Sequence, residues 1–398
     1  MNLSERKDFY TFLQRYIRFA EYIIINYRGD QPFHIYLKKY FALNRKHGSR
    51  DRKFIRSLTY DFFRIGHGAR ANVSREDQFQ LGFFLCENGL DKNFHFDRDD
   101  IEIASPLEKK LQAVSTFFEP GRIFPFSEFL SSGIDVYRYN LSYLIQPALF
   151  LRIPAEGLTR VKAKLNAANI FWQKVSEDVL ALANETNVEN IFRIDHEVFI
   201  QDYNSALTAG YFQKYLSGLK GLVRVWDCCA GSGGKSLALL DKVRKVQLTV
   251  SDKRKSILHN LTKRFHAAGI KNFEAFVADL SLPLQKMTSD YDAIIADLPC
   301  TGSGTWARTP EMLHYFSKKE VGRYASLQKV IIQNALRHLR GGGFLFYITC
   351  SVFTEENEAN VEFIKQLEGL HLLEMKYLKG YEMKADTLFV AIFQRQTL

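Results

Sequence analysis

No stretch of the chain approaches the roughly 18 consecutive apolar residues that a membrane-spanning helix needs. The most apolar early segment, Ala20 to Asn26, is short and flanked by charge, which is too weak for a secretory leader or a span. The expectation is a cytoplasmic protein that does not engage a membrane. Cysteine is scarce as well: Cys86, Cys228, Cys229, Cys300 and Cys350 are the whole complement. An odd number in a long chain without an export signal argues against a disulfide framework. Cys-x-x-Cys and histidine-rich spacings are absent, so no metal site is expected and the thiols read as free, structural or catalytic. Internal repeats and low-complexity tracts are missing too, which leaves ordinary globular domains.

What is there is 398 residues, 46% of them apolar, enough for two or three domains and at least one full-sized core. The net charge is +10, and residues 1–70 alone carry 15 Lys and Arg against 6 Asp and Glu. Nearly all of the positive excess therefore sits at one end. Such an end suits a polyanion, or is a solvated basic helical surface, and charge alone does not choose between them.

From Phe9 to about Leu90, apolar residues recur at three- and four-residue spacing, as in Phe12, Tyr16, Phe19 and Ile23, and again in Phe54, Leu58, Phe62 and Ile65. This is the period of an amphipathic helix, and it predicts an all-α bundle that with its linker fills residues 1–140. Residues 91–147 mix charge, proline and glycine with short apolar runs, and read as a connection with one helix near Leu107 to Phe118. Residues 148–205 predict a small α+β unit, with strands at Leu149 to Ile153, Val179 to Leu182 and Glu197 to Ile200 and a helix at Leu158 to Ala168. Residues 206–398 change pattern. Strand-like runs ending in polar residues now alternate with helices: Leu222 to Asp227, Gln247 to Asp252, Phe273 to Asp279, Ala293 to Asp297, and Phe344 to Cys350. That alternation predicts a doubly wound, mostly parallel α/β sheet, which binds ligands at the carboxyl ends of its strands. A last run, Phe389 to Arg395, is expected to add an antiparallel edge strand.

The first of these strands runs directly into Cys229-Ala230-Gly231-Ser232-Gly233-Gly234-Lys235 and a helix beginning near Ser236. Glycines let a ligand approach the backbone, and a helix start offers free N–H groups. Gly234-Lys235-Ser236 also matches the end of a phosphate-binding P-loop, but the position where that loop requires glycine is Cys229. An adenosine-containing cofactor calls for an acid at the end of the second strand to accept from the ribose hydroxyls. Asp252 stands there, and Asp279, ending the third strand, is placed to reach the adenine side. Either aspartate alone serves equally as a helix cap or turn residue.

The fourth strand ends Asp297-Leu298-Pro299-Cys300 and the fifth ends Tyr347-Ile348-Thr349-Cys350-Ser351, so both thiols emerge at the ligand-binding edge. A lone strand-end cysteine is commonly a small buried hydrophobe; two beside a glycine loop suit covalent chemistry on a pyrimidine. Carbon 5 of that ring does not accept a methyl group unaided, whereas a thiolate added at carbon 6 turns the ring into a nucleophilic enamine. A second, base-like group must then help remove the carbon 5 proton so that the thiolate can leave. Asp297 is the candidate to support protonation of ring nitrogen 3, and Lys235 to lower a thiol pKa or orient that acid.

Together the Cys229 to Lys235 loop, Asp252, Asp279, Asp297-Leu298-Pro299-Cys300, and Thr349-Cys350-Ser351 followed by Glu355-Glu356-Asn357 resemble the RNA (cytosine-5)-methyltransferases of the Fmu/Sun and nucleolar-antigen group. The likeness runs from about Ala148 to the C-terminus. It implies a Rossmann-like class I methyltransferase domain with a mostly parallel seven-stranded sheet, preceded by a small α+β RNA-recognition-like subdomain. It also implies that Cys350 is the nucleophile, that Cys300 assists product release, and that residues 229–235 with Asp252, Asp279 and Asp297 hold S-adenosylmethionine. Two departures stand out. Ser232 replaces the family's proline, and Gly302-Ser303-Gly304-Thr305 predicts a mobile loop over the target base.

Upstream, Gly48 to Ile55 and Tyr60 to Arg64 resemble the helical RNA-binding domain, related to the antitermination factor NusB, that fronts bacterial members. Gln201-Asp202 and Ser205 resemble the family's entry into the catalytic domain. The expected activity is methylation of cytosine carbon 5 in RNA, with ribosomal RNA as the substrate class by analogy, carried out by a monomer. Transfer RNA, DNA or a small molecule as substrate, a P-loop hydrolase, and a non-catalytic RNA-binding protein on a methyltransferase fold stay open as alternatives.

Overall fold

The computed structural model describes residues 3–87, 103–154, 156–284, 290–367 and 369–397, with side chains from Thr11 onward. The end of the expected bundle at Leu90 and the first part of the expected connection lie outside the described residues. The chain forms two compact units. One comprises residues 1–128, 135–146 and 306–317; the other comprises 129–134, 147–305 and 318–398.

The first unit is helical, with α1 (Leu3–Asn26), α2 (Phe33–Leu43), α3 (Ser49–Arg64), α4 (Arg75–Cys86), α5 (Leu107–Ala113) and α6 (Val136–Ser142). Its core is aromatic. Phe33, Leu37 and Phe41 fall on one face of α2, and Ile55, Leu58 and Phe62 on one face of α3, as the helical spacing requires. Each such side chain contributes roughly 1.5–3 kcal/mol by leaving water. Phe12, by contrast, stays 44% exposed. Helix α4 crosses α3 at Gly82, where a Cβ would sit 2.7 Å from the Asp61 carbonyl oxygen. Ser74 caps α4 by accepting from the Asp77 N–H at 3.1 Å. The expected helix near Leu107 to Phe118 ends at Ala113. A distant part of the chain completes this unit: the short helix Met312–Tyr315, α11 in chain order, and Trp306, fully buried against Phe124 and Phe316.

The second unit holds two sheets. The smaller is antiparallel, in the order β2 (Trp172–Lys174), β3 (Val179–Leu182), β1 (Leu149–Arg152) and β4 (Phe199–Ile200), with α7 (Leu158–Ala167) packed on it. Leu151, Val161, Leu165 and Leu180 are its core.

The larger sheet has seven strands in the order β10-β11-β9-β8-β5-β6-β7. These are β5 (Val223–Asp227), β6 (Val246–Asp252), β7 (Phe273–Val277), β8 (Tyr291–Asp297), β9 (Leu339–Thr349), β10 (Leu370–Leu378) and β11 (Leu388–Arg395). Strands β5 to β9 pair in parallel, and β11 is antiparallel to both neighbours. This is the Rossmann-like sheet expected from the sequence. Alternate side chains feed two cores. Val225, Val250 and Ile295 meet α8 (Tyr203–Leu216), α9 (Gly234–Lys242) and α10 (Lys255–Ala267) on one face. Trp226, Ile294 and Tyr347 meet α12 (Lys319–Leu336) and α13 (Glu358–Lys365) on the other.

One strand expectation needs correction. Strand β11 is antiparallel but is no edge, because β10 lies outside it. Strand β10 carries Glu374 and Lys376 and is partly exposed between buried ends, the character of a protected edge. The sheet reverses its order at β5, where β6 departs one way and β8 the other. The crevice beyond the carboxyl ends of β5 and β8 is where such folds bind ligands.

Candidate active site

Strands β8 and β9 run side by side with Asp297 opposite Ile348, so the segments leaving them stay adjacent. Cys300 and Cys350 meet there, their Sγ atoms 3.2 Å apart, and all five cysteines are free. The hydrogen bond with Cys350, and then burial, push the Cys300 thiol well up from its ordinary range. Both effects disfavour the Cys300 thiolate.

The buried Glu356 clamps the two segments together. Its Oε1 accepts from the Thr301 N–H at 2.9 Å and from Gln328 Nε2 at 3.0 Å. Its Oε2 accepts from the hydroxyls of Thr301 and Ser351, each at 2.5 Å. Burial raises the Glu356 pKa while these four donors oppose the rise. Asn357 braces the same turn: it accepts from Thr349 Oγ1 at 2.7 Å and donates to the Ser351 carbonyl at 2.9 Å.

The segment Gly302 to Thr305 is no mobile loop. Ser303 is fully buried and accepts from the Val352 N–H at 2.9 Å. The Gly304 N–H donates to the Cys350 carbonyl at 2.8 Å. A Cβ on Gly304 would lie 2.1 Å from the Thr387 carbonyl oxygen, so glycine serves close approach here, not flexibility.

Next to the thiols, Lys235 Nζ lies 2.6 Å from Asp297 Oδ2. Burial works against the Lys235 charge, but Asp297, and beyond it Cys350 and Asp227, more than reverse this and raise its pKa. The ammonium therefore sits charged within the field of Cys350. Asp227, at the end of β5, is 1% exposed. Its Oδ2 accepts from Ser236 Oγ at 2.6 Å, while Oδ1 has no partner among the described residues. Burial, against the Ser236 bond, pushes its pKa up to about 7.

The glycine loop follows Asp227 directly. Gly233 has φ +79°, and a Cβ there would meet Phe265 at 2.5 Å. Gly231 has φ +52° with open space where a Cβ would stand, and its N–H donates to Asp252 Oδ2 at 3.1 Å. Ala230 is pinned through its N–H to the Ser251 carbonyl at 2.9 Å, and Cys229 is partly exposed. Ser232, where the family has proline, accepts from Arg264 through both its carbonyl and its Oγ at 3.3 Å. Arg264 in turn pairs with Asp195 at 2.6 Å, so a tether stands in for the stiffer residue. Just after β4, the Gln201 amide donates to the Gly234 carbonyl at 3.2 Å while accepting from Arg152 at 2.7 Å.

Asp252 ends β6 as expected, but its carboxylate is occupied. Oδ1 accepts from the Arg254 N–H and Nε, and Oδ2 from Gly231 and Arg254 Nη2, all within 3.1 Å. A carboxylate offers about four acceptor positions, so a ribose hydroxyl would have to displace the exposed Arg254 guanidinium. Asp279 lies two residues beyond β7, is exposed, and accepts from Ser281 N–H and Oγ at 3.0 and 2.7 Å. The open face of Gly231, a carboxylate at the tip of β6 and the unpartnered Asp227 oxygen fit an adenosine-containing cofactor with a charged tail. Reading the chain alone gave no role to four participants, although Glu356 stands within the quoted Glu355-Glu356-Asn357 motif. Gln328 carries no local signal, whereas Asp227 and Arg254 lie within a few residues of a recognised motif and Glu356 lies in one.

Residues 220–393 match the family model for the 16S rRNA methyltransferase RsmB/F. A probable ribosomal RNA small subunit methyltransferase B of Coxiella burnetii is 29% identical over 192 residues, 47% of this chain and 43% of that protein. A 28S rRNA (cytosine-C(5))-methyltransferase of Mus musculus is 27% identical over 159 residues, 38% of this chain and 19% of that protein. The chain thus spans less than half the length of the curated relatives it matches. A methyltransferase homologue from Pyrococcus horikoshii shares the fold with a TM-score of 0.56, at 19% identity over 68% of this chain and 93% of that chain. The domain that carries the two cysteines is thus similar to the RsmB/F methyltransferases over residues 220–393.

Proposed function

We propose that the protein methylates carbon 5 of a cytosine in RNA, and the observation that carries this reading is the close pair Cys300 and Cys350 beside the Lys235–Asp297 ion pair. S-adenosylmethionine, held by the 229–235 loop with Asp252, Asp279 and Asp297, supplies an electrophilic methyl group when bound. Cys350 attacks as a thiolate, forming a sulfur bond to carbon 6 and moving the ring electrons toward carbon 5. Lys235 offers that thiolate a positive neighbour, and Asp297 faces ring nitrogen 3. Once carbon 5 carries the methyl group it loses its proton, the ring electrons return, and the sulfur bond to carbon 6 breaks. That proton passes to Cys300 acting as a base, or to water, so that Cys300 acts on the release step and not on the attack.

Residues 1–140 are proposed to bind RNA through phosphate contacts, residues 148–205 to assist as an RNA-recognition-like subdomain, and residues 206–398 to carry the chemistry. Ribosomal RNA is the proposed substrate class, supported by the names of the relatives and by the basic N-terminal end. The proposed working form is a cytoplasmic monomer; among the described residues no helix is long and apolar enough to cross a membrane. Transfer of radiolabelled methyl from S-adenosylmethionine to ribosomal RNA, transfer RNA and DNA pools tests the reading. Label in 5-methylcytosine of ribosomal RNA supports it. Label confined to transfer RNA or DNA corrects the substrate, and no label in any pool from cofactor-binding protein refutes the activity.

A further inference from the structure

The helical unit contains a cleft of about 510 Å³ that methyl transfer does not use. That volume falls in the range of roughly 300–1,000 Å³ typical of ligand pockets. Helix α2 lines it with His34 and Lys38, and α3 with Arg52, Arg56 and Tyr60. The residues on each helix are four apart, so each helix presents one continuous stripe to the cleft. Phe41 is buried at its floor.

The cations are not there to pair with protein acids. Among the described residues neither Lys38 nor Arg56 forms an ion pair with a carboxylate. Arg52 donates Nε to the His47 carbonyl at 2.8 Å, which fixes its side chain without neutralising it. Asp51, the nearest acid in sequence, accepts from the Tyr16 hydroxyl at 2.6 Å and from the Gly48 N–H at 2.9 Å. The Tyr60 ring is held edge-on to Phe33 with centroids 5.4 Å apart. Three cations with no carboxylate partner among the described residues, around a pocket with a fixed aromatic wall, suit an anionic guest. A guest that is anionic at its rim and flat and apolar at its centre is a nucleotide.

We propose that this cleft receives an unpaired nucleotide of the substrate RNA, with its phosphates on Lys38, Arg52 and Arg56 and its base against Tyr60 and Phe41. The inference rests on RNA being the substrate, and it adds a base-holding subsite where overall charge implied phosphate contacts only.

The test uses the full chain and a short fluorescein-labelled single-stranded RNA, read by anisotropy across a salt series. Arg52→Gln combined with Arg56→Gln is compared with Arg18→Gln combined with Arg75→Gln, which removes the same charge from the same unit outside the cleft. Both pairs replace exposed side chains, and circular dichroism checks the folds. The cleft pair is expected to weaken binding about 10-fold or more and to reduce the salt slope by about 1.4, near 0.7 for each lost phosphate contact. The control pair is expected to change affinity by no more than about 3-fold, since separated surface charges are screened. RNA carrying 5-iodouridine is expected to photocrosslink to the peptide bearing Tyr60 or His34. Equal effects of the two pairs, or crosslinks only elsewhere, overturn the cleft while leaving the methyltransferase reading intact. A wild-type chain that binds no RNA overturns both.

Discussion

The sulfur atoms of Cys300 and Cys350 stand 3.2 Å apart just beyond two neighbouring parallel strands, with no disulfide between them. The two thiols are not equivalent in their surroundings, since Cys350 faces the Lys235 ammonium whereas a hydrogen bond and burial push the Cys300 thiol pKa up. Cys350→Ala is therefore expected to lower methyl transfer by on the order of 10³-fold or more, the scale of losing a covalent nucleophile. Cys300→Ala is expected to leave attack intact and to accumulate a protein–RNA adduct on denaturing gels. A Cys300→Ala variant that turns over freely without an adduct removes Cys300 from the release step.

Glu356 positions this pair. Glu356→Ala strips four donors of their acceptor at once, and a buried unpaired donor costs about 1–3 kcal/mol each before relaxation. Urea denaturation should show a loss of several kcal/mol. In the milder Glu356→Gln variant, kcat should fall while cofactor affinity holds, because the displaced groups flank the cysteines and not the glycine loop. Cofactor binding that falls in step with kcat would contradict the positioning role.

Backbone approach, not mobility, explains Gly304. Gly304→Ala would press a methyl group against the carbonyls of Thr387 and Cys350 and should destabilise by about 1–3 kcal/mol or more. Gly210→Ala is the contrast, because Gly210 lies within α8 with nothing near its missing Cβ. It should gain up to about 1 kcal/mol. Thermal melts of the two variants give the comparison, and a neutral Gly304→Ala would restore a loose loop.

Asp227 should imprint a pH dependence on stability. Its pKa stands at about 7 in the folded protein against an ordinary 3.8. Between those values the folded state keeps a proton that the unfolded chain has lost, so stability falls as pH rises through the window and levels off above it. Asp227→Asn cannot ionise. The stability of wild type relative to this variant should decline by a few kcal/mol, at about 1.36 per pKa unit, from roughly pH 4 to pH 7. A difference that stays flat across this range would place the Asp227 pKa elsewhere.

Arg254 screens the cofactor acid. Asp252→Ala should weaken S-adenosylmethionine binding, measured by calorimetry, whereas Arg254→Ala should leave it unchanged or tighter because the carboxylate is released. Weaker binding on removal of Arg254 would mean that the guanidinium itself contacts the ligand.

Much of this was legible in the chain because its signals are local. Alternation and polar strand ends located β5, β6, β8 and β9, and with them the loop, Asp252, Asp297 and both cysteines. What escaped depends on partners remote in sequence. Gly304 looked flexible because Thr387, the group that demands glycine, is 83 residues away. Glu356 gathers donors from 55, 28 and 5 residues off, and no periodicity encodes that convergence. Strand β10 exposes apolar Leu373 and Met375 among its charged residues, which blurs its alternation, and β2 is three residues long.

The most direct test of the central claim is to map the covalent adduct on RNA carrying 5-fluorocytidine. After methyl transfer to that base, carbon 5 bears fluorine where a proton should leave, so the sulfur bond at carbon 6 cannot break. Incubation with S-adenosylmethionine, digestion and mass spectrometry of the crosslinked peptide should locate the nucleotide on Cys350. An adduct on Cys300, or efficient methylation with no adduct at all, would contradict the assignment of Cys350 as the nucleophile.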